Sequence, residues 1–128
     1  MTDHPVYRTM AIGKIHRATV TGADVNYIGS ISIDSDLLHA ADIYPGQQVD
    51  VVNVTNGARL TTYTIEAPSG SGTVQLNGAA AHLTSIGDVV IIMAYAQVPE
   101  EAARERLPRV VLVDGQNKPI QVADDLGK

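Results

Sequence analysis

No cysteine, phenylalanine or tryptophan occurs among the 128 residues of this chain. Without cysteine, the protein has no disulfide framework, no thiolate nucleophile and no cysteine-ligated metal, which suits a reducing cytoplasm. Its five tyrosines are the only aromatic residues. The core must therefore be packed mainly by aliphatic side chains, and stacking platforms for single-stranded nucleic acid are not expected.

Positive charge is also scarce. Nine Lys and Arg residues against fourteen Asp and Glu residues give a net charge of -5, which disfavours a nucleic-acid surface. No run approaches the roughly 18 apolar residues of a membrane span, and residues 1–13 lack the apolar segment of a signal peptide. We therefore expect a soluble, cytoplasmic protein with no nucleic-acid and no membrane partner. Its length suits a single domain over residues 1–128.

Short β-branched runs separated by Gly, Asn, Pro and Asp predict a mainly β fold. A short helix is predicted over 34–41, with Asp34 or Ser35 as its cap, and a second from Pro99 to Leu107, with Pro99 in its first turn. The strands are expected near residues 9–20, 30–33, 48–53, 60–66, 74–77, 88–97 and 109–113.

The dipeptide Asn56-Gly57 predicts a tight hairpin in which both residues have positive φ. Such a turn would return Arg59 and Tyr63 along the preceding strand.

Gly29-Ser30 is a candidate for self-cleavage. A serine hydroxyl can attack the preceding carbonyl when that residue is glycine, because no side chain crowds the approach. The peptide would become an ester, elimination across the serine Cα and Cβ would release the upstream piece, and loss of ammonia would leave a pyruvoyl ketone in place of Ser30. The dipeptide alone is too common to carry this interpretation, and an ordinary turn between strands is the alternative.

The surroundings of this bond resemble a known family, the pyruvoyl-dependent aspartate 1-decarboxylases. The resemblance runs from about Arg8 to Tyr95 and is loose beyond Pro99. One departure is visible, because Ile28 stands where some members carry an acidic residue. The matching segments, in order, are Arg8-Thr9-Met10, Gly13 to Thr21, Ala23-Asp24, Tyr27, Gly29-Ser30, Ile33-Asp34, Asn56-Gly57, Arg59, Thr62-Tyr63 and Asn77 to Ala81.

This resemblance implies a small double-psi β-barrel with short helices, cleaved into a β chain of residues 1–29 and an α chain of residues 30–128. It implies decarboxylation of L-aspartate to β-alanine and carbon dioxide through a Schiff base to a pyruvoyl group formed from Ser30, supplying pantothenate and coenzyme A synthesis. That covalent group would do the work of pyridoxal phosphate, without a metal. Family members form homotetramers with active sites between neighbouring subunits.

The resemblance also assigns roles to single residues. Lys14 and Arg59 would bind the two carboxylates of aspartate, although for arbitrary cations a solvated surface position is the usual alternative. The Thr62 hydroxyl would bind the Gly29 carbonyl during maturation and the substrate afterwards. Tyr63 would protonate Cα after carbon dioxide leaves, where packing is the alternative. On a regular strand these two neighbours face opposite ways.

The segment from Asn77 through Gly78, Ala79 and Ala80 to Ala81 has unusually small side chains. It is expected both to expose backbone N–H groups to the substrate and to pack tightly as a helix start. Tyr27 is expected to wall the pocket. His16 is expected to be a hydrogen-bonded structural histidine.

Two other classes stay open. A non-catalytic ligand-binding or adaptor β-barrel is one, since fold does not determine function. A serine hydrolase is the other, and it would keep Ser30 intact beside a His base. The four histidines are scattered without metal-ligand spacing, and no Gly-x-Ser-x-Gly motif occurs. The mass of the purified chain would separate a self-cleaving protein from both of these classes.

Overall fold

A computed structural model describes residues 4–127 of the protein. Of these residues, 49% lie in strands and 14% in helices, which confirms the mainly β class. The elements are β1 Tyr7–Thr19, β2 Gly22–Asp24, β3 Ser30–Asp34, α1 Ser35–Ala41, β4 Gln48–Asn53, β5 Arg59–Ala67, β6 Val74–Asn77, a 3₁₀ helix Gly78–Leu83, β7 Val89–Pro99, α2 Glu100–Ala103, β8 Arg109–Val113 and β9 Pro119–Ala123.

The strands form one mixed sheet in the order β2-β6-β3-β5-β4-β7-β1-β8-β9. Strand β3 lies between β5, to which it runs parallel, and β6, to which it runs antiparallel. Its two neighbours fix the register, with Ile31 opposite Thr64 on one side and Leu76 on the other. The arrangement is compatible with a small β-barrel, and the double-psi crossing stays a prediction.

The core is aliphatic, as the lack of Phe and Trp requires. Ile31 and Ile33 on β3 have no exposed surface. Burial of each side chain contributes roughly 1.5–3 kcal/mol, so β3 is held firmly and the position of its first residue, Ser30, is well defined. The other large side chains with almost no exposure are Ile15, Val20, Leu37, Val49, Val51, Val74, Leu76, Val90, Ile92 and Val110.

Helix α1 begins where predicted. The carboxylate of Asp34 accepts a hydrogen bond from the Asp36 backbone N–H at 2.8 Å, which makes Asp34 the N-cap. The same buried carboxylate accepts from the backbone N–H groups of Gly70 at 3.1 Å and Gly72 at 2.8 Å. The loop before β6 is therefore tied to the end of β3.

The second predicted helix is wrong in length and in its first residue. Helix α2 contains only Glu100–Ala103, and Pro99 is its N-cap and the last residue of β7. The following residues favour a helix by composition, but Leu107 is 66% exposed. Without a buried apolar stripe, propensity alone does not sustain so short a helix.

The predicted hairpin between β4 and β5 is confirmed, with Val52 opposite Arg59. Its turn differs from the prediction, because Gly57 has a positive φ of 79° and Asn56 does not have a positive φ. The loop is longer than two residues and is closed by Asn53. That residue accepts through its side-chain oxygen from the Thr55 N–H and through its backbone carbonyl from the Gly57 N–H.

The C-terminal segment is tied to the core. Strand β8 pairs in parallel with β1, and β9 pairs with β8. Asn117, 1% exposed, donates to the carbonyls of Thr19 and Gly72 at 2.8 Å each and accepts from the Thr19 N–H at 2.8 Å. Between residues 4 and 127, no helix has the length and apolar character needed to cross a membrane.

Candidate functional site

Ser30 is the first residue of β3, and its side chain is completely buried. Its hydroxyl donates to the backbone carbonyl of Ile28 at 2.9 Å. The hydroxyl oxygen accepts a hydrogen bond from Asn77 Nδ2 at 3.0 Å. The single proton of the hydroxyl is thus directed toward Ile28, and one oxygen lone pair is taken by Asn77. The second lone pair is left for another partner.

Asn77 lies opposite Ser30 across the β3–β6 pair and is also fully buried. Its Nδ2 donates to Ser32 Oγ at 2.9 Å, and its Oδ1 accepts from Gln75 Nε2 at 2.8 Å. Sequence reasoning missed Ser32 and Gln75. Ser32 is two residues after Ser30, and Gln75 is two residues before Asn77, so each pair lies on one face of its strand. The sequence does not show that the two strands pair and bring all four residues together.

Gly78 lies against Gly29, the residue that precedes the bond proposed for cleavage. Its φ is 67°, and a Cβ added to it would lie 2.6 Å from Gly29 Cα and 2.9 Å from Gly29 N. No side chain fits there, so the small residue at this position is required by packing. Gly29 differs, because a Cβ added to it would meet no atom within 4 Å. Glycine at position 29 is therefore not required by the packing of the uncut chain.

Thr62 and Tyr63 lie on β5 beside the start of β3. The parallel register places Ile31 opposite Thr64, so the two preceding residues run alongside Ser30 and Gly29. The β4–β5 pairing continues through both residues without a bulge, and Thr62 shares a face with the buried Val49. Tyr63 lies on the other face and is 39% exposed. By register, that is the face that carries Ser30 and Asn77.

The two predicted substrate cations lie apart from this cluster. Arg59 forms an ion pair with Asp50 at 3.3 Å, and Asp50 also accepts from the Thr61 hydroxyl at 2.7 Å. Arg59 precedes Tyr63 by four residues on β5, or about 13 Å along a strand. Lys14 is on β1, four places from β3 in the sheet, and its Nζ donates to the Leu126 carbonyl at 3.2 Å.

His16 is not the hydrogen-bonded histidine that was expected. Its Nδ1 is buried, and no atom among residues 4–127 bonds to it. A bulge between Ile15 and Ala18, where Arg17 has a φ of 62°, interrupts the regular pairing beside it. Burial lowers the pKa of His16, and the nearby charges of Lys14 and Arg17 lower it further.

Small residues after Asn77 form the start of the 3₁₀ helix, as the tight-packing interpretation expected. Gly78 is buried, Ala79 is exposed and Ala80 is half-buried. The first N–H groups of a helix have no partner within the helix, so they are available to an oxygen ligand. Their use as substrate donors stays a prediction.

A cavity of about 500 Å³ lies elsewhere, beside α1, where Leu38, Tyr44, Glu66 and Arg109 line it together with neighbouring residues. None of the predicted site residues contributes to it. Nor do any three His, Asp or Glu side chains within residues 4–127 come together as metal ligands would.

The fold and this cluster define a small β-class protein with a buried serine centre at the start of a sheet strand. Within the described residues, the Ser30 hydroxyl bonds to Ile28 and Asn77, and no histidine bonds to it. The family model described as aspartate decarboxylase matches residues 6–120.

The aspartate 1-decarboxylase of Neisseria meningitidis is 62% identical over 115 residues, which cover 88% of this chain and 89% of that protein. The aspartate 1-decarboxylase of Carboxydothermus hydrogenoformans is 56% identical over 119 residues, which cover 93% and 94%. The chain belongs to the aspartate decarboxylase family. The predicted resemblance is confirmed, and the match extends beyond Pro99, where it was expected to be loose.

Proposed function

We propose that the protein decarboxylates L-aspartate to β-alanine and carbon dioxide with a pyruvoyl group that it forms from its own Ser30. The product would supply pantothenate and coenzyme A synthesis in the cytoplasm. The observation that carries the proposal is the buried Ser30 hydroxyl, held between Ile28 and Asn77 next to Gly29, in a chain of the aspartate decarboxylase family.

Maturation begins when Ser30 Oγ attacks the Gly29 carbonyl carbon. The Oγ–C bond forms, the peptide C–N bond breaks and the nitrogen takes up a proton, which leaves an ester and a free amine. Loss of the Ser30 Cα proton then breaks the Cβ–Oγ bond and releases Gly29 as a carboxylate. Water finally replaces the nitrogen, which leaves as ammonia. The Asn77 N–H, already 3.0 Å from Oγ, supports this route because it can stabilise the negative charge that develops on that oxygen.

The residues around Ser30 fit a small ketone. The Asn77 amide offers N–H donors, and Gly78 has no side chain to fill the space. Such a ketone, held beside Asn77 and Gly78, would supply an electrophile for the substrate amine and an electron sink for the decarboxylation. Tyr63, on the Ser30 face of β5, is the proton donor to Cα. The backbone N–H groups at Gly78, Ala79 and Ala80 bind a substrate oxygen.

Lys14 and Arg59 bind the substrate carboxylates from a neighbouring subunit of a homotetramer. Neither residue contacts the Ser30 cluster in its own chain, which supports a site completed by a second copy.

Complementation tests this shared site. Ser30→Ala chains, which are inactive, and Arg59→Ala chains, whose aspartate turnover is weakened, should together regain activity at low aspartate concentration when they are co-expressed and assemble. Native mass spectrometry verifies that mixed tetramers have formed. If such tetramers gain no activity, Ser30 and Arg59 must act in a site formed by the same chain.

Intact-protein mass spectrometry tests the cleavage itself. The purified protein should separate into residues 1–29 and 30–128, and the larger piece should resist N-terminal sequencing and react with hydrazines. Ser30→Ala should stay whole and inactive. An aged wild-type sample that remains one chain and releases no carbon dioxide from aspartate would favour the adaptor alternative instead.

A further inference from the structure

Beyond Asn77, a chain of side-chain hydrogen bonds leads away from the proposed cleavage site. Gln75 Nε2 donates to Asn77 Oδ1 at 2.8 Å, and Asn77 Nδ2 donates to Ser30 Oγ at 3.0 Å and to Ser32 Oγ at 2.9 Å. The four residues face one another across the β3–β6 pair, with Ser30 opposite Asn77 and Ser32 opposite Gln75. Both the nitrogen and the oxygen of the Asn77 side-chain amide therefore have hydrogen-bond partners.

The direction of these bonds is set by the Ser30 proton. A serine hydroxyl has one proton, and here that proton goes to the Ile28 carbonyl at 2.9 Å. Asn77 must therefore present an N–H to Ser30, which turns its Oδ1 toward Gln75. A buried amide oxygen needs a donor, and the Gln75 amide nitrogen supplies it.

Gly22 makes room for this donor. It lies opposite Gln75 in the β2–β6 pair, and a Cβ added to it would lie 2.6 Å from Gln75 Oε1 and 3.1 Å from Gln75 Cδ. Gly22 is not among the glycines with a positive φ, so its backbone conformation does not demand glycine. The space that its missing side chain leaves is used by the Gln75 side chain.

We infer that Gln75, given room by Gly22, is a positioning residue for self-cleavage, because its amide donor keeps the Asn77 N–H aimed at Ser30 Oγ. This inference rests on the proposed cleavage. In the steps given above, Oγ becomes an ester oxygen and then an oxygen of the departing Gly29 carboxylate. A donor aimed at Oγ favours that departure, whereas an amide turned the other way would present an acceptor and oppose it.

The variant Gln75→Glu tests this role through pH. Its ionised carboxylate can only accept, so Asn77 should turn over and offer Oδ1 to Ser30. Above about pH 7, cleavage should be about five- to tenfold slower than in the wild-type protein. As the pH falls toward about 4.5, the protonated acid can donate again, and the ratio of variant to wild-type rate should rise toward one. Cleaved and uncut chains are counted by intact mass over time.

The cleavage rate of the wild-type protein is measured over the same pH range. Dividing by it removes the effect of other titratable groups near Gln75. Asp24 lies on β2 on the same face as Gly22, Asp34 ends β3 with its carboxylate bonded to backbone N–H groups, and His82 is exposed in the 3₁₀ helix. Gln97→Glu is the matched control, since that amide also donates to a side-chain oxygen on another strand, at Thr9. Its cleavage should follow the wild-type rate at every pH.

A second variant avoids any change of hydrogen-bonding groups. Gly22→Ala should displace the end of the flexible Gln75 side chain and slow cleavage at neutral pH, while thermal melting shows an intact fold. A reduction of the Gln75→Glu cleavage rate that does not change with pH, or wild-type cleavage rates in both variants, would overturn the role of Gln75. Neither outcome would affect the proposed function. A wild-type chain that never cleaves would overturn the proposed function and this inference with it.

Discussion

Gly78 and Gly29 are in direct backbone contact, so close that a methyl group on Gly78 would lie 2.6 Å from Gly29 Cα. The contact joins the start of the 3₁₀ helix, proposed to bind substrate, to the residue whose carbonyl is proposed to be attacked. In the proposed function, one small residue would therefore serve both maturation and the later binding of substrate. Because the contact is between backbone atoms, it cannot be relieved by a side-chain rotation.

Gly78→Ala should consequently impair cleavage and stability together. The added methyl group must push the Gly29 backbone aside, and the left-handed φ adds a cost of about 1 kcal/mol. We expect cleavage at least about tenfold slower and a lower melting temperature. Gly57→Ala is the matched control, because Gly57 also has a positive φ, of 79°, but its added Cβ meets no atom within 4 Å. Equal behaviour of the two variants in intact mass and thermal melting would show that the contact with Gly29 does not matter.

Arg59→Ala should weaken substrate binding and leave cleavage intact. A charge-assisted contact contributes roughly 1.5 to 3 kcal/mol, so KM for aspartate should rise about ten- to a hundredfold, or turnover should be lost. Arg8→Ala is the control, since Arg8 is also an exposed cation in an ion pair, with Glu100. Unchanged aspartate kinetics in Arg59→Ala, with the Arg8 variant normal, would remove Arg59 from the site.

The strands were the part of this fold most readily predicted, because β-branched runs are separated by Gly, Pro and Asn. Strands β2 and β9 were missed for physical reasons. Gly22-Ala23-Asp24 has little intrinsic β preference and becomes a strand only because β6 pairs with it. Strand β9 begins at Pro119, which lacks the backbone donor of an ordinary strand residue, and it pairs with β8 at the edge of the sheet.

Residue types suggested the reactive bond, but not what surrounds it. Ser30 and Asn77 are 47 positions apart, and the antiparallel pairing that joins them is a tertiary contact. Gln75 and Ser32 look like ordinary solvent-facing strand residues in the sequence. Both bond to the Asn77 side-chain amide that lies between them, and only the register of β3 against β6 reveals this arrangement.

The lowered pKa of His16 predicts a loss of stability in acid. As the pH falls below about 6.5, the unfolded chain takes up a proton at this residue before the folded chain does. The free energy of unfolding should therefore decrease through that range and level off below the lower folded pKa. His16→Gln cannot bind the proton and should show a flatter pH dependence. Denaturant unfolding of both proteins at fixed concentration, in a Ser30→Ala background that stays uncut, measures the difference.

Thr62 and Tyr63 adjoin on β5 but face opposite sides of the sheet, which suits different roles. Thr62→Val keeps the shape and β-branching and deletes only the hydroxyl proposed to polarise the Gly29 carbonyl. Self-cleavage should slow or stop, and uncut chain should accumulate. Tyr63→Phe keeps the ring on the Ser30 face and removes the acidic hydroxyl. Cleavage should proceed normally, while loss of a general acid should reduce decarboxylation by roughly 10² to 10⁴.

Intact mass and carbon dioxide release, measured on both variants, separate the two roles. The Tyr63→Phe enzyme should also inactivate during turnover. Without its donor, protonation can occur on the enzyme's side of the adduct instead of at the substrate Cα, and the amino nitrogen then stays with the enzyme. A mass change of the α chain that grows with turnover would record this event. Full activity in Tyr63→Phe, or cleavage of Thr62→Val at the wild-type rate, would show that these two hydroxyls have been assigned to the wrong steps.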